Sequence, residues 1–156
     1  MKRYTFLVFF FALVNCTKES GFTDDNLPDN TLAITSINTL GGTKNDVLQA
    51  VVKTNDGGYA TTGHTQSNNG DVINKSNEGF DFWVLKFSED NTLVWNKTFG
   101  GLGDDRASTI IQTSDNGFAV LGYSKSLENN TVSNTASQDF WLLKLNEAGE
   151  VSWQKT

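Results

Sequence analysis

The sequence predicts an all-β protein that is built from two copies of one antiparallel sheet. Asp81–Lys86 returns as Asp139–Lys144, 58 residues later, and residues 81–98 are identical to residues 139–156 at nine of 18 positions. A period of this length indicates a repeat architecture. The composition is typical of strands joined by tight turns, because the 156 residues include 14 Gly, one Pro and 12% aromatic residues.

The first half of each unit predicts a hairpin. Each unit starts at a Gly-Gly pair, Gly41-Gly42 or Gly100-Gly101, and residues 41–67 then align without a gap to residues 100–126. Between the two predicted strands lies the pattern Thr-x-Asp-x-Gly, whose residues supply positive φ angles and carboxylate-to-backbone hydrogen bonds. The predicted strands are residues 47–54, 59–65, 106–113 and 118–124.

The third strand of each unit is predicted to be buried on both faces. In the first unit Phe82 and Val84 lie on one face, and Trp83, Leu85 and Phe87 lie on the other. A strand that is apolar on both sides lies between neighbouring layers of structure. The third and fourth strands of the two units are predicted at residues 81–88, 93–99, 139–146 and 151–156.

Four strands in each unit and this double-sided burial predict antiparallel four-stranded blades of a β-propeller. Blade 1 spans residues 41–99 and blade 2 spans residues 100–156. Residues 32–40 include Ile34–Leu40, which precede the first Gly-Gly pair as Leu93–Phe99 precede the second, so they are predicted to form an orphan outer strand. We therefore expect a fragment, an incomplete propeller whose further blades lie outside this sequence.

The N-terminal residues predict export. Two basic residues precede the apolar run 6–14, which is too short to cross a bilayer as a helix but fits a secretory signal peptide over residues 1–15. Cys16, the only cysteine, follows directly. Lipidation would explain this lone thiol, and the alternative is an ordinary signal peptide with an incidental cysteine. The polar residues 16–31 are predicted to form a flexible tether.

Two sets of residues resemble known families. Leu13-Val14-Asn15-Cys16 resembles the lipobox of bacterial lipoproteins, which implies that Cys16 is diacylated and becomes the mature N-terminus. The early Lys18-Glu19 is similar to surface-export signals of Bacteroidota lipoproteins. The Gly-Gly, Thr-x-Asp-x-Gly-aromatic, Asp-Phe-Trp-x-Leu-Lys and Trp-x-Lys-Thr motifs resemble the propeller-type repeats of exported Bacteroidota lipoproteins, which are related in style to SBBP-type and kelch-like repeats. The resemblance implies anchoring in the bacterial outer membrane through an N-terminal lipid, with surface exposure as one option.

The charge and the scarcity of reactive side chains argue against several functions. The formal net charge is −6, and it becomes −8 without the two basic residues of the signal peptide, which disfavours nucleic acid as a partner. His64 is the only histidine and its repeat counterpart is Tyr123, so we interpret this position as packing rather than catalysis. Motifs for a serine nucleophile, a zinc protease or a phosphate loop do not occur. We expect neither an enzyme nor a cofactor.

Three acidic residues, Asp46, Asp104 and Asp105, are weak candidates for a Ca²⁺ site. The dense alternation of aspartates that is typical of calcium loops is missing around them. We therefore favour a role in which these carboxylates cap backbone amides at the start of each blade, and we expect no metal site.

Eight residues that recur at equivalent positions are interpreted as the structural signature of the repeat. The Thr-x-Asp-x-Gly pattern resembles the Asp-box of sialidases, which is itself a hairpin device. The tryptophans are able to stack on sugar rings, and their segments resemble the Gly-x-x-x-Trp turns of quinoprotein propellers, but their recurrence favours packing. The eight residues are Asp56, Gly58, Trp83, Trp95, Asp115, Gly117, Trp141 and Trp153.

These observations lead to one expected function and two alternatives. We expect a non-catalytic, lipid-anchored module of the cell envelope that binds a glycan or a protein through the dissimilar loops 66–80 and 125–138, since variable loops on a fixed scaffold usually carry specificity. The first alternative is a propeller domain of a larger enzyme or quinoprotein-like protein whose active residues lie downstream. The second is a purely structural spacer.

Overall fold

The secondary structure of the described residues consists of strands. The computed structural model describes residues 37–126 and 138–156. Within these ranges the strands are β1 (Asp46–Lys53), β2 (Tyr59–Thr65), β3 (Asp81–Phe87), β4 (Leu93–Phe99), β5 (Asp105–Gln112), β6 (Phe118–Ser124), β7 (Asp139–Leu145) and β8 (Val151–Lys155).

The eight strands form two four-stranded antiparallel sheets. The first has the order β1-β2-β3-β4, the second has the order β5-β6-β7-β8, and each strand pairs with its neighbour in sequence. The predicted all-β class and both four-stranded units are confirmed. β2, β4 and β6 have the predicted bounds, β3, β7 and β8 end one residue earlier than predicted, and β1 and β5 are shifted by one residue at both ends.

The prediction for the first strand of each unit was wrong by one residue because the threonine belongs to the turn. The Thr54 N–H donates to the Gly58 carbonyl at 2.9 Å, and the Thr113 N–H donates to the Gly117 carbonyl at 2.9 Å. Both threonines therefore close a turn instead of continuing the ladder, and both strands begin one residue earlier, at an aspartate.

The two sheets share a bulge at the same position. In β1 the pairing register passes over Gln49, and in β5 it passes over Ser108. The residue opposite is a glycine in each case. A Cβ atom on Gly63 would lie 1.9 Å from a carbonyl oxygen of β1, and one on Gly122 would lie 2.1 Å from a carbonyl oxygen of β5. The glycines thus permit the close approach that the bulges require.

One hydrophobic core joins the two sheets. Phe82 and Val84 of β3 are fully buried in it, together with Phe118, Leu143 and Leu145 of the second sheet. The opposite face of β3 forms a smaller cluster, in which Trp83, Leu85 and Phe87 pack with Val72. All seven residues of β3 are buried, so the predicted burial on both faces is confirmed for the first unit. It is wrong for the second unit, because Phe140 of β7 is 59% exposed and no described layer covers that face of the strand.

The predicted orphan strand is only partly covered by the described residues. Residues 37–40 do not have strand conformation, and Ile37 is 74% exposed. Residues 32–36, like the predicted signal peptide and tether, lie outside the described residues. The orphan strand therefore stays a prediction, and its described end is not part of either sheet.

Candidate functional site

The connections of the two sheets lie at opposite ends of the strands. The pairing registers place the long connections at one end, which we call the loop end, and the tight turns at the other, which we call the turn end. The loop end of the described chain comprises residues 41–45, 66–80 and 100–104. The turn end comprises residues 54–58, 88–92, 113–117 and 146–150.

Asp46 organises the loop end of the first sheet. Its Oδ2 accepts hydrogen bonds from the Gly42 N–H at 2.8 Å and from the Ser67 hydroxyl at 2.9 Å. Its Oδ1 accepts from the Thr65 hydroxyl. The Ser67 hydroxyl in turn accepts from the Lys44 N–H at 2.9 Å. The carboxylate therefore ties the Gly-Gly segment to the start of loop 66–80.

Asp105 repeats this arrangement in the second sheet. It is fully buried, and its Oδ2 accepts from the Gly101 N–H at 2.8 Å and from the Ser126 hydroxyl at 2.7 Å. Its Oδ1 accepts from the Ser124 hydroxyl. A buried carboxylate needs such donors to offset the loss of hydration.

The three acidic residues considered for Ca²⁺ do not converge on one point through free oxygens. Asp46 and Asp105 lie in separate networks, and Asp104 accepts from the Phe80 N–H at 3.2 Å and lies 3.5 Å from Arg106. In the described ranges, groups of three or more His, Cys, Asp or Glu side chains that could hold a metal ion were not found. The hydrogen bonds of Asp46 and Asp105 are those of a cap on backbone amides.

The first half of loop 66–80 is attached to the framework by hydrogen bonds. The Asp71 N–H donates to the Gly41 carbonyl at 2.9 Å, and the Asp71 carboxylate accepts from the Gly41 N–H at 2.9 Å. The Thr98 hydroxyl donates to the Ile73 carbonyl at 3.1 Å. The loop is thus held between the Gly-Gly segment and the edge strand β4, while the Ile73 side chain remains 47% exposed.

The second half of the loop ends on a buried acid. Asp81 is 4% exposed, and the Asn77 amide donates to its two carboxylate oxygens at 2.9 and 3.0 Å. Burial raises the pKa of Asp81 to about 6; the Asn77 bonds and the Lys75 charge oppose this shift, and the Asp105 charge adds to it. Gly100 separates Asp81 from Asp105, since a Cβ on Gly100 would lie 2.5 Å from the first carboxyl group and 2.9 Å from the second.

Lys75 is the buried cation of this loop. Lys75 is 7% exposed. Its ammonium group donates to the Asn77 carbonyl at 2.8 Å and to the Asn77 side-chain oxygen at 2.9 Å. Burial lowers the pKa of Lys75, and the charge of Asp81 opposes that shift. Asn77 therefore links the Lys75 ammonium group to the Asp81 carboxylate.

His64 lies between the two sheets. It is 7% exposed and packs edge-on against Phe80, with ring centroids 5.3 Å apart. The Arg106 guanidinium lies 4.0 Å from the centre of the same Phe80 ring. Burial and, secondarily, the Arg106 charge lower the pKa of His64. These contacts fit the packing role predicted for this position.

At the turn end, Asp56 is held by residues of two hairpins. Its Oδ1 accepts from the Thr54 hydroxyl at 2.5 Å and from the Gly58 N–H at 3.2 Å. Its Oδ2 accepts from the Lys86 ammonium at 2.8 Å, and Lys86 also donates to the Phe87 carbonyl at 2.8 Å. The Lys86 and Thr54 hydrogen bonds lower the pKa of Asp56 to about 2.

The same network recurs around Asp115. Its carboxylate accepts from the Thr113 hydroxyl at 2.5 Å, the Gly117 N–H at 3.1 Å and the Lys144 ammonium at 2.7 Å. These bonds, with that of Lys144 first, lower the pKa of Asp115. The sequence predicted the aspartate and glycine of this network but missed Lys86 and Lys144. Their recurrence in Asp-Phe-Trp-x-Leu-Lys was the available signal.

Two of the four tryptophans hold strands within their own sheet. The Trp83 indole N–H donates to the Asn96 side-chain oxygen at 2.7 Å, and the Trp141 indole N–H donates to the Gln154 side-chain oxygen at 3.1 Å. Each bond joins the third strand of a sheet to its fourth strand.

The other two tryptophans differ from each other in exposure. Trp95 crosses from the first sheet to the second: its indole N–H donates to the Glu147 carbonyl at 3.0 Å and its ring meets Phe118 edge-on at 5.7 Å. Trp153, its counterpart in the second sheet, is 48% exposed. Only the first member of this pair has a second sheet to pack against in the described structure.

A cleft of about 680 Å³ lies at the turn end between the two sheets. Two hydrogen bonds along its polar wall join the sheets. The Asn55 N–H donates to the Gln112 side-chain oxygen at 2.9 Å, and the Asn55 side-chain amide donates to the Asn116 side-chain oxygen at 3.2 Å. Trp95 and Val94 supply the apolar wall. The sequence analysis did not predict this cleft, because it forms between two turns that are 57 or more residues apart.

Some predicted site residues lie outside the described part of the chain. Cys16 and most of loop 125–138 are among them. In residues 37–126 and 138–156 there is no helix long and apolar enough to cross a membrane.

No family model matches the sequence, and a search of curated proteins found no match.

Proposed function

We propose that this chain is part of a non-catalytic, lipid-anchored β-propeller module of the cell envelope, which binds a glycan or a protein through loops 66–80 and 125–138. Two four-stranded sheets of equivalent sequence packed face to face support the assignment of the sheets as blades. The proposed anchor is Cys16, and the proposed location is the outer membrane.

The observation that carries the binding proposal is the construction of loop 66–80. Its backbone is fastened at Asp71 and Ile73 to the Gly-Gly segment and to β4. Between these attachments and Asp81 the loop exposes an aliphatic side chain, Ile73, and polar side chains such as Asn74. A surface that is held in place and mixes apolar area with amide and hydroxyl groups is suited to binding, because little conformational entropy is lost when a ligand docks.

The competing proposal is a propeller domain of a larger enzyme or quinoprotein-like protein. Charged groups of the described loop end are engaged in two ion pairs, Lys44–Glu78 and Asp104–Arg106. Such pairing favours the binding module over a catalytic site. A catalytic domain or a cofactor-binding motif encoded downstream of Thr156 would favour the enzyme instead.

A glycan array probed with the mature protein tests the binding proposal. We expect a signal that falls at least about tenfold when Ile73 is changed to Ser, since a central apolar contact is worth about 1.4 kcal/mol or more. Val94→Ser is the matched control, because Val94 is also exposed (57%) but belongs to β4 near the turn end. Equal loss of signal in both variants, or retention in both, would contradict binding through loop 66–80.

A further inference from the structure

The second sheet carries an apolar face that has no covering layer among the described residues. We call it the outer face and define it by the exposed side chains of four strands. Phe140 is 59% exposed, Leu121 is 39% exposed and Trp153 is 48% exposed. Ile111, on the same face, is 57% exposed, since it pairs with Ala119 beside Leu121. So much apolar area on one face marks an interaction surface.

The first sheet shows what covers the equivalent face. The counterpart of Phe140 is Phe82, which is fully buried against the second sheet. The Phe82 ring lies 4.8 Å from the Trp141 ring, and a Cβ on Gly122 would come within 2.7 Å of its edge. Phe82 therefore occupies a contact site formed by Gly122 of β6 and Trp141 of β7.

Trp95 supplies a second contact of the same kind. Besides its hydrogen bond to the Glu147 carbonyl, its ring lies 3.1 Å from the position that a Cβ on Gly149 would take. The counterpart of Trp95 is Trp153. The two residues that anchor the first sheet on the second thus have exposed equivalents, Phe140 and Trp153, on the outer face.

On the premise that the two sheets are blades, we propose that the outer face docks a further sheet of the same repeat type. That sheet carries a glycine in its second strand and a tryptophan in its third, which receive Phe140, and a glycine in its last turn, which receives Trp153. The contacts of Phe82 and Trp95 specify this occupant. Phe140 and Trp153 are the same residue types at the equivalent positions, so they require equivalent contact sites.

A second copy of this chain is a poorer occupant. The matching surface on its first sheet is formed by Trp83, Leu85 and Phe87, which are at most 5% exposed. Val72 of loop 66–80 packs against these three side chains, as do Leu40 and Tyr59. A copy would have to displace this cover before its first sheet could receive Phe140.

The test extends the full chain by one unit. A second copy of residues 99–156 is appended after Thr156. This segment continues the alignment of the repeat and contains the contact site that receives Phe82. Single cysteines are introduced in a Cys16→Ser background as Phe140→Cys, Phe82→Cys and Leu48→Cys, each in the original unit of the extended and the unextended chain. The rate of maleimide labelling is then measured, since an exposed thiol reacts faster than a buried one.

We expect the extension to slow labelling at position 140 by about tenfold or more, because a buried site reacts only through local opening. Labelling at position 82 is expected to be slow in both chains. Leu48 is 54% exposed and lies in the first sheet, so labelling there is expected to be equally fast in both.

Two results would overturn the inference. If position 140 labels equally fast with and without the extension while position 82 stays protected, the sheets pack as described but the outer face does not receive a further sheet. If light scattering shows that the unextended chain forms a dimer that Phe140→Lys abolishes, the occupant is a second copy. Fast labelling at position 82 as well would refute the blade assignment itself, and none of these results depends on glycan binding.

Discussion

At the scale of single residues, Asp81 combines burial with a structural task. It begins β3, and it receives both hydrogen bonds of the Asn77 amide at the end of loop 66–80. Its folded-state pKa of about 6 lies above the ordinary value of 3.8. The native protein therefore holds a proton there between about pH 4 and pH 6 that the unfolded chain releases, so this group's contribution to stability is greatest at low pH and declines as the pH rises through 6.

Asp81→Asn removes this dependence, because the amide stays neutral while it can still accept one hydrogen bond from Asn77. We expect the free energy of unfolding of the variant, relative to that of the wild type, to increase by about 2 kcal/mol between pH 4.5 and pH 7.5. Urea unfolding of both proteins at the two pH values measures the difference. A difference that does not change with pH would show that Asp81 is not protonated in the folded protein near pH 4.5.

The turn-end carboxylates show the opposite shift and allow a matched comparison. The pKa of Asp56 is lowered to about 2, with the Lys86 hydrogen bond as the largest cause. Such a group contributes stability above about pH 4 that is lost as the pH falls through 2. Lys86→Met removes the donor and keeps an apolar stem, so we expect the pKa of Asp56 to rise by about one unit or more toward its ordinary value.

A carboxyl-carbon NMR titration of Asp56 measures this rise. Lys144→Met is the control, because Lys144 bonds to Asp115 in the other sheet and leaves the Asp56 network intact. If Lys86→Met leaves the titration of Asp56 unchanged, the shift must come from Thr54 and the turn backbone rather than from the cation.

At the scale of elements, two glycines with positive φ separate the effect of a turn from the effect of sheet packing. Gly57 has φ 85° and lies in an exposed turn next to Glu89, whereas Gly149 has φ 75° and is buried against the Trp95 ring. Substitution by alanine strains both backbones by about 1 kcal/mol. At Gly149 the added methyl group also pushes against a ring that joins the two sheets.

We therefore expect Gly149→Ala to lower the free energy of unfolding by about 1–3 kcal/mol more than Gly57→Ala, since overpacking at a filled interface adds to the strain. Chemical denaturation followed by tryptophan fluorescence gives both values. Equal losses would indicate that Trp95 moves aside at little cost and that its contact with the Gly149 turn does not hold the sheets together.

At the scale of the whole molecule, the proposed lipid anchor at Cys16 would hold the two sheets at a membrane surface. Cys16 lies outside the described residues. Residues 37–126 and 138–156 include no helix that could cross a membrane. We predict that Cys16→Ser moves the protein from the membrane fraction to the soluble exported fraction, because acyl chains alone would hold it at the bilayer.

Metabolic labelling with a fatty acid, followed by membrane fractionation, checks this prediction. The wild type should incorporate the label and the variant should not, while Ser20→Ala, in the predicted tether, should behave as the wild type. Retention of the variant in the membrane fraction without label would point to an ordinary uncleaved or peripheral association and would remove the lipoprotein assignment.

The sequence by itself determined the strands, the turns and the equivalence of the two units. These features depend on local chemistry: the period of two along β3, the positive φ supplied by Gly and Asn in the turns, and the recurrence of Asp56 as Asp115. The one-residue errors at the ends of β1, β3, β5 and β7 arose because a polar residue there can either extend a ladder or close a turn. Only the hydrogen bonds of Thr54, Ser88, Thr113 and Asn146 decide between these roles.

The tertiary structure alone decided which equivalent side chains are covered and which are free. Phe82 and Phe140 occupy the same place in the repeat, yet their exposures are 0% and 59%. No local pattern can distinguish them, because burial depends on whether another sheet packs against that face. The same reason explains why the pKa of Asp81, the cleft beside Trp95 and the outer face of the second sheet could not be predicted from the sequence.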